Sequence, residues 1–268
     1  MAAGSVIRLS SPATQESWEL PVVYEDDQLL AADKPARLLV SPDLNDPQRP
    51  NLMRLLHDGI AQSATWAKRH NLVYIANTHR LDFETSGVLL LAKTKSTLVA
   101  VANQFGANTP VKAYVALVRG MPEQPEFSVD APIGTQTRQL GLMRIDTQGG
   151  KKSVTEFKVI EQFRGFTLLQ CRPLTDRTHQ IRVHLRSVGL HVVGDIAYAG
   201  SPLSLSQLKS SYRPKWSEPE RPLMGRVALH AERLDITHPV TGQPLTLAAE
   251  WPKDLRVTLK YLRMFSGL

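Results

Sequence analysis

The chain has 268 residues, 42% of them hydrophobic, which is enough to build a substantial folded core. Its longest apolar runs, such as 88–92, fall far short of the roughly 20 residues that a membrane-spanning helix needs. The single cysteine, Cys171, excludes an internal disulfide and a cysteine-rich metal site, and it fits a reducing compartment. Residues 1–21 resemble neither a secretory signal nor an arginine-rich transit peptide, so the expected location is the cytoplasm.

The charge distribution is uneven along the chain. Lysine and arginine number 32 against 25 acidic residues, a net charge of +7. Residues 1–35 hold two basic and six acidic side chains, or −4, so the remainder carries +11. A basic excess of this kind favours a polyanionic partner, most often a nucleic acid, although a basic surface without any such role is the simpler alternative.

The first third of the chain predicts a hairpin, two helices and a buried strand. Residues 21–24 and 29–32 have strand patterns on either side of a short acidic turn. Helical spacing of leucines predicts a helix over 51–57, with Asn51 as its cap. The apolar run 88–92 is typical of a buried strand, and 95–105 carries an apolar helical stripe.

Further strands are predicted over 112–118, with Tyr114 opposite the buried face, and over 166–171. The Gly149-Gly150 pair suggests a hairpin between 141–145 and 153–160. Strands in neighbouring pairs with few crossovers indicate an α+β fold with a central mixed, largely antiparallel sheet flanked by helices and loops.

Two helices are predicted in the last third. Over 178–187 the wheel places Ile181, Leu185 and Val188 on an apolar arc, and His179, Arg182 and Arg186 on a polar stripe. The second helix covers 255–264. We expect an N-terminal extension over 1–20, one catalytic domain over 21–268, and a surface loop insertion over 201–222, which is rich in serine, proline and charge.

Two polar segments could carry chemistry. His79-Arg-Leu-Asp-Phe-Glu-Thr-Ser-Gly87 leads directly into the buried strand at Val88, so Asp82 could act as a nucleophile or base, or could simply form a turn. Arg177-Thr-His-Gln-Ile-Arg-Val-His184 opens a helix with basic side chains, which is typical of an anion site or of a solvated basic face.

These two segments, together with Lys112-Ala-Tyr-Val-Ala-Leu-Val-Arg-Gly120, resemble the ordered signature blocks of the RluA family of pseudouridine synthases. Lys34-Pro35 and Ala228-Leu-His-Ala231 are similar to two weaker blocks of that family. The resemblance extends over about residues 20–252.

The resemblance implies isomerisation of uridine to pseudouridine within ribosomal or transfer RNA, on the pseudouridine synthase fold with an RNA-binding cleft and without a cofactor. By the same resemblance Asp82 is the essential carboxylate, Tyr114 the active-site tyrosine and Arg182 the arginine that pairs with the aspartate. The carboxylate could attack C1′ of the sugar or remove a proton from C2′. About 20 residues precede the first predicted strand, too few for the RNA-binding S4-type domain of many relatives.

Backbone contacts to the RNA would have to offset the cost of extruding a stacked uridine. We expect no membrane association and favour a monomer. The candidates for RNA contact are Arg80, Arg177, Arg186, His79, Lys209, Arg213 and Lys215.

Three other interpretations compete. A metal site is disfavoured because His179 and His184 are not spaced i, i+4 on a helix, and we expect no metal. A cysteine nucleophile is also disfavoured, because Cys171 lies in an apolar strand pattern, where a lone cysteine is usually inert. A catalytically silent RNA-binding or RNA-chaperone protein on the same fold would share the basic surface but would not need Asp82, Tyr114 and Arg182 together.

Overall fold

The computed structural model describes residues 4–43, 46–137, 139, 141–213 and 218–268. The strands are β1 Val6–Ser11, β2 Glu16–Glu25, β3 Leu29–Lys34, β4 Ala76–Asn77, β5 Ser86–Ala92, β6 Val111–Arg119, β7 Glu126–Asp130, β8 Ile133–Thr135, β9 Met143–Ile145, β10 Val154–Phe163, β11 Phe166–Pro173, β12 His191–Val192, β13 Leu229–Thr237 and β14 Pro244–Ala248. The helices are α1 Leu52–Ala61, α2 Thr65–Arg69, α3 Lys95–Gly106, α4 Gln180–Ser187, α5 Leu205–Leu208 and α6 Lys253–Phe265, with a 3₁₀ turn at Ile196–Tyr198. Across the described ranges, no helix is both long enough and apolar enough to cross a membrane.

The chain divides into two compact units. The first comprises Met1–Val111 and Ala231–Glu250, and the second comprises Lys112–His230 and Trp251–Leu268. The chain passes from one unit to the other within β6, after Val111, within β13, after His230, and again after Glu250. That residues 21–268 form one catalytic domain stays a prediction.

In the first unit the strands follow the order β1-β2-β3-β5-β13, with β4 also paired to β5 and β14 to β13. The registers of β1 with β2, β2 with β3 and β3 with β5 are antiparallel. Every residue of β5 is buried, as its continuous apolar sequence predicts. Val101 of α3 packs with residues of β3, β5 and β13 in the core of this unit.

In the second unit the order is β6-β11-β10-β7, with β12 paired to β6. The pairs β6 with β11, β11 with β10 and β10 with β7 are antiparallel. Strands β8 and β9 form a separate two-stranded sheet. Residues from β6, β11, α4 and α6 share one apolar core. The predicted α+β class with largely antiparallel pairing is confirmed.

Local predictions differ in outcome. Helices α1, α3 and α6 are confirmed, and the side chain of Asn51 caps α1 by accepting from Arg54 N at 3.0 Å. The hairpin predicted around Gly149-Gly150 is wrong, because β9 pairs with β8 and β10 pairs with β7 and β11. Much of the predicted N-terminal extension belongs to the β1–β2 hairpin, and within 201–222 Leu203 is buried and bridges to Met224.

Candidate active site

Asp82 lies in the loop between β4 and β5 of the first unit, where its half-buried side chain is flanked by fixed neighbours. Leu81 and Thr85 are 4% and 2% exposed. Thr85 N donates to the carbonyl of Asp82 at 3.2 Å, which closes a turn around the aspartate. The next carbonyl, of Phe83, accepts from Arg37 N at 2.7 Å. The loop therefore holds the carboxylate at a defined position without burying it fully.

The side chain of Lys34 links this loop to the loop that follows β3. The side chain is fully buried, and its Nζ donates to the carbonyls of Pro35 and Leu38, each at 2.8 Å, and of Phe83 at 3.5 Å. Three backbone oxygens thus gather around one buried ammonium group. Since burying a charge without such partners is costly, this arrangement fixes the loop after β3 against the loop of Asp82.

Gly87, the second residue of β5, has a backbone conformation that favours glycine. Its φ is +114°, and an added Cβ would lie 2.2 Å from the carbonyl oxygen of Ala231. Both features require a residue without a side chain, so the approach of β13 to β5 depends on this position.

Tyr114 lies on β6 of the second unit, in register with Cys171 of β11. It is half-buried and packs against the apolar core of that unit. The strand around it is buried on both faces from Val115 to Val118, whereas the sequence predicted one buried face. Tyr114 is thus anchored at the end of a rigid, buried segment.

Arg182 is buried within α4, so the solvated basic face, one of the two interpretations of this segment, does not hold for it. Its Nε and Nη2 donate to the two carboxylate oxygens of Asp195 at 2.7 and 2.8 Å, and its Cζ lies 4.8 Å from the ring centroid of Tyr198. The exposed fractions of Arg182 and Asp195 are 8% and 1%. Of the predicted stripe only Arg186 is exposed, and Val188 from the predicted apolar arc is also exposed.

His179 precedes α4 with a left-handed φ of 56°. Its Nδ1 lies 2.8 Å from the hydroxyl of Tyr198, which also accepts from Met143 N at 2.9 Å. Tyr198 therefore links the start of α4, the turn after Asp195 and strand β9. These contacts lock the orientation of the helix that carries Arg182.

A second chain of hydrogen bonds fixes the other side of α4. Gln180 Nε2 donates to Thr155 Oγ1 at 3.0 Å, and that hydroxyl lies 2.9 Å from His184 Nδ1. His184 Nε2 lies 3.0 Å from the carbonyl of Ala131, so the neutral ring donates there and accepts from Thr155. Burial lowers the pKa of His184 below its ordinary value, although the bond to Ala131 acts in the opposite direction.

The candidate RNA-contact residues differ in their surroundings. Arg80, Arg186 and Arg213 are exposed, and Lys209 Nζ lies 5.5 Å from the ring centroid of Phe265. The side chain of Arg177 donates from Nε to the carbonyl of Lys152 at 3.2 Å. His79 accepts from Leu90 N at 3.0 Å and stacks on Phe105, so it has a structural part as well. Lys215 lies outside the described residues.

Asp195 and Tyr198 are functional candidates that the sequence analysis missed. The only local signal is that Asp195 follows Val192-Val193-Gly194, and this does not identify Arg182 as its partner. The structure does bring Asp195 and Tyr198 to Arg182. Asp82 belongs to the first unit, and Tyr114 and Arg182 to the second.

Within the described ranges, no group of three or more histidine, cysteine or acidic side chains is arranged to hold a metal ion. Cys171 is buried, and burial raises the pKa of its thiol far above the ordinary value. A thiol that stays protonated is a poor nucleophile, so Cys171 belongs to the core.

Comparison with known proteins identifies the family. The sequence model of the RNA pseudouridylate synthase family matches residues 28–187. The chain belongs to this family. It is an RNA pseudouridine synthase, an isomerase, as the resemblance of its signature blocks implied.

Named relatives cover nearly the whole chain of this pseudouridine synthase. The ribosomal large subunit pseudouridine synthase D of Xanthomonas campestris is 35% identical over 263 residues, which is 96% of this chain and 74% of the relative. The protein of the same name from Nitrosomonas europaea is 36% identical over 248 residues, covering 92% and 67%.

Solved structures agree with the fold. Human RNA pseudouridylate synthase domain containing 4 superposes with a TM-score of 0.69 at 25% identity, covering 90% of this chain and 92% of that one. Human RNA pseudouridylate synthase domain containing 1 gives a TM-score of 0.63 at 25% identity, covering 87% and 84%.

Proposed function

We propose that this pseudouridine synthase modifies uridine in the RNA of the large ribosomal subunit, with Asp82 as its catalytic carboxylate. The observation that carries the residue assignment is the fixed loop around Asp82, in which buried neighbours hold a carboxylate that is itself only half-buried. The RNA class is supported by the names of relatives that match more than nine-tenths of this chain. Action on ribosomal RNA would also agree with the expected cytoplasmic location.

The reaction breaks the bond from C1′ to N1 of uracil and forms a bond from C1′ to C5. The hydrogen on C5 leaves as a proton and N1 gains one, so atoms and charge balance without any redox step. A carboxylate can promote this either by adding to C1′ or by removing a proton from C2′. Asp82 could supply either chemistry, and Tyr114 could stack on the uracil or exchange a proton with it.

Arg182 would act by orienting the carboxylate. Its contact with Asp195 uses Nε and Nη2, and the pairing of Arg182 with Asp82 is the role that the family resemblance implies. A planar guanidinium gripped on one edge by a buried carboxylate is held at a fixed angle, which suits it to present a second edge. The ion pair with Asp195 and the contact with the Tyr198 ring would then hold Arg182 in position.

The test is to map pseudouridines in total RNA from a strain that lacks the protein, before and after incubation with the purified enzyme. We expect new pseudouridine in large-subunit RNA, absent when Asp82→Asn replaces the wild type. New pseudouridine confined to transfer RNA would overturn the RNA class, while activity of Asp82→Asn would overturn the catalytic assignment.

A further inference from the structure

A pocket in the first unit lies between the β1–β2 hairpin and helix α1. Its cavity measures about 400 Å³. The hairpin contributes residues 8–13, α1 contributes Arg54, Asp58 and neighbouring residues, and Trp66 of α2 completes the wall. None of these residues belongs to the signature blocks or to the proposed catalytic set.

The wall combines an aromatic ring with cationic and amide side chains. Its charged residues are Arg8, Arg54 and Asp58, two cations against one carboxylate, and Gln48 and Gln62 add amide groups. Arg8 is also 3.3 Å from Glu19. Cations beside an aromatic ring fit the phosphate and the base of a nucleotide, respectively.

The indole of Trp66 packs against Gly59, where a side chain would leave it no room. A Cβ at Gly59 would lie 2.1 Å from Trp66 Cζ2, so the indole packs directly on the backbone of α1. Trp66 is only half-buried, which leaves part of its surface at the pocket. A fixed and partly exposed ring is a suitable stacking surface for a base.

A buried amide group of Asn51 is independent evidence that the pocket has a ligand. The residue is 0% exposed and lines the pocket. Its Oδ1 accepts from Arg54 N, while its Nδ2 is buried without a hydrogen-bond partner among the described residues. Since buried donors are nearly always satisfied, an acceptor oxygen brought into the pocket would give this amide its partner.

The pocket is joined to the Asp82 loop within the same unit. Arg49 lies with its Cζ 4.1 Å from the ring centroid of Phe83, the residue after Asp82. The residues on either side of Arg49, Gln48 and Pro50, line the pocket. We propose that this pocket binds an unstacked nucleotide of the RNA substrate that flanks the target uridine, with its base against Trp66 and its phosphate beside Arg54.

This proposal rests on the RNA substrate of the proposed function and is tested separately from it. Dissociation constants and single-turnover rates at saturating RNA are measured for wild type, Trp66→Leu, Trp66→Tyr and Arg54→Ala on one large-subunit RNA fragment. Trp66→Leu should weaken binding about tenfold through loss of stacking, while Trp66→Tyr should retain most of the affinity. Arg54→Ala should reduce the slope of log affinity against log salt by about 1. The saturated rate should stay within about twofold of wild type in all three variants, because none removes a group from the proposed chemistry.

Arg263→Ala is the matched control, because it removes an exposed arginine, held by Glu161, from α6 of the second unit. If Trp66→Leu fails to fold, Arg54→Ala and Trp66→Tyr still decide the matter, since the first removes an exposed side chain and the second keeps an aromatic ring. Unchanged affinity and salt slope in Arg54→Ala, with an active wild type, would overturn the pocket proposal and leave the function intact. An inactive wild type would instead remove the proposed function.

Discussion

Arg182 donates to both carboxylate oxygens of Asp195, at 2.7 and 2.8 Å, and both side chains are almost completely buried. A buried ion pair of this geometry ties α4 to the turn that follows β12. Breaking such a pair strands the remaining charge in a region of low dielectric, so its loss affects the whole second unit.

Asp195→Asn should lower the free energy of unfolding by about 3–5 kcal/mol, because it removes the buried carboxylate that accepts two hydrogen bonds from the Arg182 guanidinium. Urea unfolding measures this change. In Arg182→Met/Asp195→Asn neither charge remains, so the double variant should lose less than the sum of the two single losses. Additive losses would show that the two side chains do not stabilise one another.

Asp82→Asn should leave folding and RNA affinity close to wild type while abolishing pseudouridine formation. The substitution keeps the size of a half-buried side chain but removes the charge that either chemical route requires. Tritium release from C5-labelled uridine in RNA, alongside a filter-binding measurement, separates chemistry from binding. Turnover by this variant at even a hundredth of the wild-type rate would point to another catalytic group.

Arg182→Met should reduce the single-turnover rate far more than Arg177→Met does. Arg182 is fixed inside α4, whereas the side chain of Arg177 bonds a backbone carbonyl before the helix begins. Arg182→Lys should recover only part of the rate, because an ammonium group lacks the planar paired donors of a guanidinium. Since Arg182→Met leaves Asp195 unpaired, the rate is referred to the folded fraction. A dead Arg177 variant beside an active Arg182 variant would reverse the assignment.

Stability should fall as the pH drops below about 6.5, in part because of His184. Its pKa in the folded protein is lowered, so between that value and 6.5 the unfolded chain binds a proton that the folded chain does not. Stability from this source is therefore complete above 6.5 and is lost as the pH falls towards the folded pKa. Unfolding free energies of wild type and His184→Asn are compared from pH 8 to 5, and equal pH dependence in the two would contradict the assignment.

RNA affinity should fall linearly in log units with the logarithm of salt concentration, because phosphate neutralisation dominates binding. Arg80→Ala and Arg186→Ala each remove an exposed cation from a segment predicted to contact RNA, and each should reduce the slope by about 1. Filter binding across a salt series measures the slope. A wild-type affinity that is insensitive to salt would mean that the excess of lysine and arginine side chains does not bind the RNA phosphates.

Local patterns predicted the elements whose own sequence carries the signal, whatever their partners in the fold. The apolar run 88–92 and the helical stripe of α3 needed no knowledge of partners, and both are found where expected. The hairpin predicted around Gly149-Gly150 failed because strand patterns do not specify the partner: β9 pairs with β8, and β10 pairs with β7 and β11.

The candidate site also has one part that the sequence predicts and one part that it does not. The block around Asp82 could be recognised from its letters, since a polar segment before a buried strand is visible in the sequence. The environment of Arg182 could not be predicted, because a helical wheel shows spacing within α4 and not the carboxylate 13 residues further on that makes burial of the arginine possible.

The buried thiol of Cys171 has a practical consequence for studying this enzyme. It is the single cysteine of the chain, and it is 0% exposed in a strand of the core. Thiol reagents attack thiolates that they can reach, so the native cysteine should stay unmodified in the folded protein. A cysteine introduced at an exposed position such as Val73, which is 90% exposed, would then accept a fluorophore selectively without prior cysteine removal.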